Sequence, residues 1–140
     1  MSWARYQSAS QSPAESTIDA GAEWIVDAQG CSAHCLRDLD CVRELCDDVI
    51  AEMALTVVGQ ARWHQFPGEA GVTGLYLLSE SHLACHTYPE RGLATFNLYC
   101  CRPRPEWPWA QEARRRLQAT RVSVRRVDRG RILHDGRDQE

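Results

Sequence analysis

Between Ser79 and Glu90 the chain gathers Ser79, Glu80, Ser81, His82, Cys85, His86, Thr87, Tyr88 and Glu90. The segment holds two imidazoles that can move protons near neutrality, hydroxyls and a thiol that can attack, and carboxylates that can accept. If an extended strand begins near His82, residues of equal parity share a face. His82 and His86 then point the same way and Cys85 points away, which argues against chelation of one metal by all three. A Ser–His–Asp hydrolase is poorly served too, because no G-x-S-x-G elbow is present. On residue types alone, a strand with a solvated polar face accounts for the segment as simply as any chemistry does.

The elements that must position these groups follow from periodicity. Residues 22–28 read as a first strand, closed by Gln29-Gly30. A helix is expected from Asp38 or Asp40 to about Val58, because Leu39, Val42, Cys46, Val49, Ile50 and Met53 recur at three-and-four spacing. Both aspartates are suitable caps. Strands are expected at 61–66, 72–78, 82–88 and 93–100, with turns at Pro67-Gly68 and Pro89 to Gly92. In the last of these strands Leu93, Thr95, Asn97 and Tyr99 alternate with Ala94, Phe96, Leu98 and Cys100, which marks two unlike faces. A proline-rich link, Pro103–Pro108, leads to a helix over 109–119 and a final strand over 121–127. The order β-α-β-β-β-β-α-β predicts an α+β two-layer sandwich: a mainly antiparallel sheet with two helices packed on one face. Residues 1–20, polar and rich in Ser, Ala and Gln, are expected to be a disordered N-terminal extension, and 131–140 a flexible tail.

At 140 residues the chain is expected to form one domain. Its net charge of −3, from 16 basic and 19 acidic residues, gives no general attraction to nucleic acid or an anionic membrane. Charge is nonetheless uneven: residues 1–100 hold 5 Arg against 13 acids, and residues 101–140 hold 11 Arg against 6. Arg114, Arg115 and Arg116 read as the solvated side of a helix. With no apolar run of bilayer length and no apolar signal core, a cytoplasmic protein is the expectation. All 16 basic residues are arginine. The absence of lysine excludes pyridoxal-phosphate and lysine-aldolase chemistry, which need a lysine amine. Seven cysteines fit a secreted disulfide framework badly, being odd in number with Cys100 and Cys101 adjacent. Cys31, Cys35, Cys41 and Cys46 lack the paired C-x2-C spacing of common zinc sites, so no metal is expected. Cys46 belongs to the apolar helix face, where it serves as a small hydrophobe.

One longer stretch is specific. GVTGLYLLSESHLACHTYPERGLATFNLYCC, residues 71–101, resembles the core of the bacterial type of S-adenosylmethionine decarboxylase proenzyme. GAEWIVDAQGC at 21–31 is similar to that family's first strand, and ATRVSVRRVDRG at 119–130 to its last, so the resemblance covers about residues 21–130. It implies an enzyme that makes its own pyruvoyl cofactor from Ser81. The Ser81 hydroxyl would attack the Glu80 carbonyl, and the resulting ester would open to a β chain, 1–80, and an α chain, 81–140. The pyruvoyl ketone would then condense with the substrate amine. By the same resemblance His86 is the processing residue and Thr73 stands where the family usually has an assisting serine. Cys101 is the acid that protonates the substrate carbon. Glu90 contacts substrate, Phe66 and Tyr88 sandwich adenine, and His82 orients the processed terminus or holds a strand hydrogen bond. The implied substrate is S-adenosylmethionine, and the implied assembly is a dimer of αβ protomers.

Several positions depart from the pattern. Cys85 replaces an apolar or small residue, Asn97 an aspartate and Arg102 a glycine, and a histidine expected near Trp24 is missing. Arg102 adds positive charge beside Cys101, which suits a carboxylate better than a sulfonium. A pyruvoyl-dependent arginine or ornithine decarboxylase is therefore an alternative, as is a non-processing homologue that acts as a binding partner.

Overall fold

The computed structural model describes residues 17–18 and 20–133. The expected extension at 1–20 and tail at 131–140 fall largely outside them. Thr17–Ile18 (β1) does pair antiparallel with Ile132–Leu133 (β8) as a small separate sheet. The main sheet comprises β2 (Gly21–Gln29), β3 (Arg62–Gln65), β4 (Val72–Leu78), β5 (Ser81–Tyr88), β6 (Leu93–Cys100) and β7 (Arg121–Arg129). Its order is β3-β4-β5-β6-β2-β7, and every pairing is antiparallel.

Alternation along each strand divides the sheet into two faces. Ala22, Trp24, Val26, Ala28, Leu83, Cys85, Ala94, Phe96, Leu98 and Cys100 are buried on one face. The helices cover that face: α1 (Ala33–Arg37), α2 (Leu39–Glu52) and α3 (Trp109–Leu117). Helix α2 contributes Val42, Leu45, Cys46 and Val49 to the core, and α3 contributes Trp109, Ala113 and Leu117. The two-layer α+β sandwich expected from the order of elements is the observed architecture. Asp38 rather than Asp40 caps α2, its carboxylate accepting from the Cys41 N–H at 3.2 Å.

Two local features differ from expectation. The helix begun at Leu39 stops at Glu52, six residues before Val58. Ala54 turns left-handed at φ 53°, Leu55 N–H donates to Ile50 carbonyl O at 2.9 Å, and Leu55 drops into the core. This is the paired-bond termination of a Schellman motif, here without the usual glycine. The released segment runs back along the sheet, where Val57 bridges Leu78. The short helix α1 was also not expected. It is tied down by Thr87, whose hydroxyl donates to Leu36 O at 2.9 Å and accepts from Val72 N–H at 3.0 Å.

The second face of the sheet has no covering layer among the described residues. Leu75 and Leu77 are 56% and 61% exposed there. The same face carries Thr73, His82, His86 and Tyr88, by the register of β4 and β5.

Candidate active site

Strands β4 and β5 are joined by a two-residue turn, Ser79-Glu80, between the paired residues Leu78 and Ser81. Ser79 N–H donates to Thr56 O at 2.9 Å, and Glu80, despite its charge, is only 3% exposed. One carboxylate oxygen of Glu80 accepts from Thr56 N–H at 3.1 Å, and the other pairs with Arg104 at 3.3 Å. Burial alone raises a carboxyl pKa. Here hydrogen bonds from the Thr56 and Glu80 backbone amides and the Ser79 side chain, with the Arg104 charge, outweigh burial and hold Glu80 below its usual value.

The peptide that follows is unusual. Ser81 adopts φ 143°, a region that residues with a Cβ avoid, at a cost of about 1–3 kcal/mol. Its hydroxyl lies 2.9 Å from His82 Nδ1, and the His82 ring meets Tyr99 edge-on at 5.9 Å. The carbonyl of Glu80 accepts the backbone N–H of Cys101 at 2.8 Å. A strained serine, a hydroxyl already paired with a base, and a polarised carbonyl therefore meet at one bond, Glu80–Ser81.

The two adjacent cysteines separate cleanly. Cys100 ends β6 on the core face, and its burial raises the thiol to about 12. Cys101 lies just beyond the strand and is exposed. Cys46 and Cys85 face each other in the core, and their mutual hydrogen bond, with burial, pushes Cys46 well up. All three thiols pack in the core, and the raised Cys46 and Cys100 are poor proton donors at neutral pH.

A second cluster lies at the other end of β5. Thr73 Oγ1 and His86 Nδ1 are directly cross-strand at 2.6 Å. The His86 ring stands between Phe66 at 5.7 Å and Tyr88 at 4.4 Å. Phe66, His86 and Tyr88, with Glu69, Gly71, Thr87 and Glu90, line a cavity of about 290 Å³. It offers aromatic faces and carboxylates, a lining suited to a cationic ligand with a flat ring. Among the described residues no group of three or more His, Cys, Asp or Glu side chains is arranged to hold a metal.

The residues singled out in the sequence thus form two groups rather than one. Ser81, His82 and Cys101 meet at the turn, while His86, Tyr88, Phe66 and Glu90 line the cavity and Thr73 joins them through its bond to His86. Five strand positions separate Ser81 from His86, or ~16 Å at about 3.3 Å per residue.

A family model for S-adenosylmethionine decarboxylase matches residues 22–130, from the first core strand through the last. The chain belongs to the S-adenosylmethionine decarboxylase family. An S-adenosylmethionine decarboxylase proenzyme of Picrophilus torridus is 32% identical over 114 residues, covering 81% of this chain and 86% of the relative. The proenzyme of Symbiobacterium thermophilum is 44% identical over 66 residues, 47% of this chain and 48% of its own. Among solved structures, adenosylmethionine decarboxylase from Aquifex aeolicus superposes with a TM-score of 0.66 at 27% identity. That match covers 84% of this chain and 95% of the other.

Sequence reasoning missed the groups that hold the turn. Arg104 lies 24 residues from Glu80, Thr56 contributes only its backbone, and Cys101 acts on the Glu80 carbonyl through its amide. The one visible signal was an arginine fixed between Pro103 and Pro105.

Proposed function

We propose that this family member is a pyruvoyl-dependent decarboxylase of S-adenosylmethionine. It yields S-adenosylmethioninamine and carbon dioxide for spermidine synthesis, after cutting its own chain between Glu80 and Ser81. The observation that carries the reading is the Glu80–Ser81 turn, where strain, a partnered hydroxyl and a hydrogen-bonded carbonyl coincide.

In this reading the Ser81 Oγ attacks the Glu80 carbonyl carbon while His82 holds the hydroxyl. The Cys101 N–H already on that oxygen stabilises the negative charge it gains. The C–N bond then breaks, and the hydroxyl's proton ends on the freed Ser81 amine. Loss of the Ser81 Cα proton next expels the Glu80 carboxylate by breaking the Oγ–Cβ bond. An imidazole suits that proton removal, and His86, held through Nδ1 by Thr73, is the candidate. Water finally displaces ammonia, leaving the pyruvoyl cap at residue 81.

The pyruvoyl group supplies an electron sink for the charge released with carbon dioxide. The chain's own residues then bind and protonate. Phe66 and Tyr88 stack on adenine, Glu90 accepts from ribose hydroxyls or the amine, and the Cys101 thiol returns a proton to the substrate carbon. A single copy does not bring these groups together, because Ser81 and His86 lie at opposite ends of β5. We infer that two copies pack their uncovered sheet faces across a two-fold axis. The turn of each then meets the cavity of the other, and Leu75 and Leu77 are buried.

The test is an intact-mass spectrum of the denatured protein, followed by carbon dioxide release from carboxyl-labelled S-adenosylmethionine, L-arginine and L-ornithine. The expected result is masses for 1–80 and 81–140, the second one ammonia lighter than a serine-started chain, with turnover of S-adenosylmethionine alone. A single 140-residue mass after long incubation sinks the reading. Turnover of arginine or ornithine instead transfers it to that substrate class.

A further inference from the structure

We propose that Arg104 is the positioning residue for self-cleavage, acting through the side chain of Glu80 to hold the scissile carbonyl in place. The inference rests on cleavage at Glu80–Ser81 as proposed above.

Several observations converge on this arginine. It is mostly buried, its side chain 22% exposed, and it pairs with a carboxylate that is only 3% exposed. Nothing about a two-residue β-turn requires its second residue to be buried; such tips are ordinarily solvated. Here the Glu80 side chain folds inward instead, where it takes the Thr56 N–H on one oxygen and Arg104 on the other. The arginine is itself fixed. Its second terminal nitrogen donates to Pro103 O at 2.9 Å, and prolines on both sides lock φ at 103 and 105.

The effect reaches the bond that is cut. With both oxygens of the Glu80 carboxylate held, its backbone cannot rotate freely, so the carbonyl stays on the Cys101 N–H at 2.8 Å. Cys101 and Arg104 belong to one short segment leaving β6, and that segment therefore grips Glu80 twice, at its main chain and at its side chain. Ser81, next in sequence, must absorb the remaining turn and does so at φ 143°. Arg104 touches neither the attacking oxygen nor the carbonyl. Its contribution is to keep the strained geometry from relaxing before attack.

After cleavage the same contact has a second use. Glu80 becomes the last residue of the 1–80 product, and its anchored side chain retains that new terminus beside the pyruvoyl end.

The experiment follows cleavage over time by intact mass in wild type, Arg104→Met, Arg104→Lys, Glu80→Gln and the Glu80→Gln/Arg104→Met double variant. A charge-assisted hydrogen bond at this position corresponds to a loss of roughly tenfold or more in cleavage rate for Arg104→Met. Arg104→Lys, which keeps the charge, restores most of that rate. Glu80→Gln slows cleavage comparably, and the double variant is no slower than the slower single one, because the two residues act as a unit. Wild-type rates in Arg104→Met overturn the proposal, as does a lysine variant as slow as the methionine one. So does a full extra loss in the double variant, which is what a merely destabilised fold gives. A wild-type chain that never cuts at 80–81 fails the underlying reading instead, and is distinguishable from all of these.

Discussion

Because Ser81 and His86 are separated along β5, the proposed processing mechanism requires a second copy, and mixed variants test it. The distance is ~16 Å along the strand, at about 3.3 Å per residue, whereas proton transfer needs contact of about 3 Å. No rotamer of His86 closes such a gap within one chain, and the ring is already fixed by Thr73 at 2.6 Å. Ser81→Ala and His86→Ala should each remain uncut when expressed alone. Expressed together with distinguishable tags, they form dimers in which the Ser81 of one chain meets the intact His86 of the other. Random pairing at equal expression places about half of the His86→Ala chains in such mixed dimers. About half of that chain should therefore appear as its two fragments by intact mass, and none of the Ser81→Ala chain. An uncut mixture, in protein shown to exchange subunits, would refute the two-copy site. Normal cutting of His86→Ala alone would remove His86 from the mechanism.

Other outcomes follow from the environments of single residues. Cys101→Ala should still be cut yet decarboxylate at least about a hundredfold more slowly, as befits loss of a general acid, while Cys100→Ala keeps its activity; turnover per pyruvoyl-bearing chain measures both. In the uncut Ser81→Ala background, Ala54→Gly should stabilise the protein by about 1 kcal/mol in urea unfolding, since φ 53° is strained for alanine and free for glycine. Leu98→Ala, at a fully buried position in the middle of β6, should cost about 3 kcal/mol by the same measurement. In uncut Ser81→Ala, the depressed Glu80 pKa contributes stability above the unfolded value that is lost as pH falls through the folded one. Its melting temperature should thus drop below about pH 4.5, and Glu80→Gln should remove that part of the drop.

The strands were legible because one face of the sheet is packed and the other is not. That gives alternation in β5 and β6, with Cys85 opposite His82 and His86 and with Cys100 on the side of Phe96 and Leu98. Helix α2 was legible over its apolar face but not at its end. Residues 53–58 continue plausible helix chemistry, and only the burial of Leu55 and the Val57 bridge make stopping more favourable. The site residues were visible as types, and by resemblance as roles. Their division into two clusters was not, because it depends on distance along a rigid strand rather than on spacing in a motif. Nor was the Arg104–Glu80 pair, since no local pattern marks an ion pair made across a hairpin and a proline-flanked loop.

A cut between Glu80 and Ser81 falls between neighbouring strands of a sheet whose order is β3-β4-β5-β6-β2-β7. The first fragment would own β2, β3 and β4, and the second would own β5, β6 and β7. Yet β2 lies between β6 and β7, bonded to both along nearly its whole length. The fragments are therefore threaded through one another and cannot part without dismantling the sheet. Before the cut, refolding is a first-order event within one chain; afterwards it becomes a second-order meeting of two chains, neither of which holds a complete sheet. The mature protein then depends on having been folded as a precursor, and once denatured it should recover poorly and in proportion to concentration.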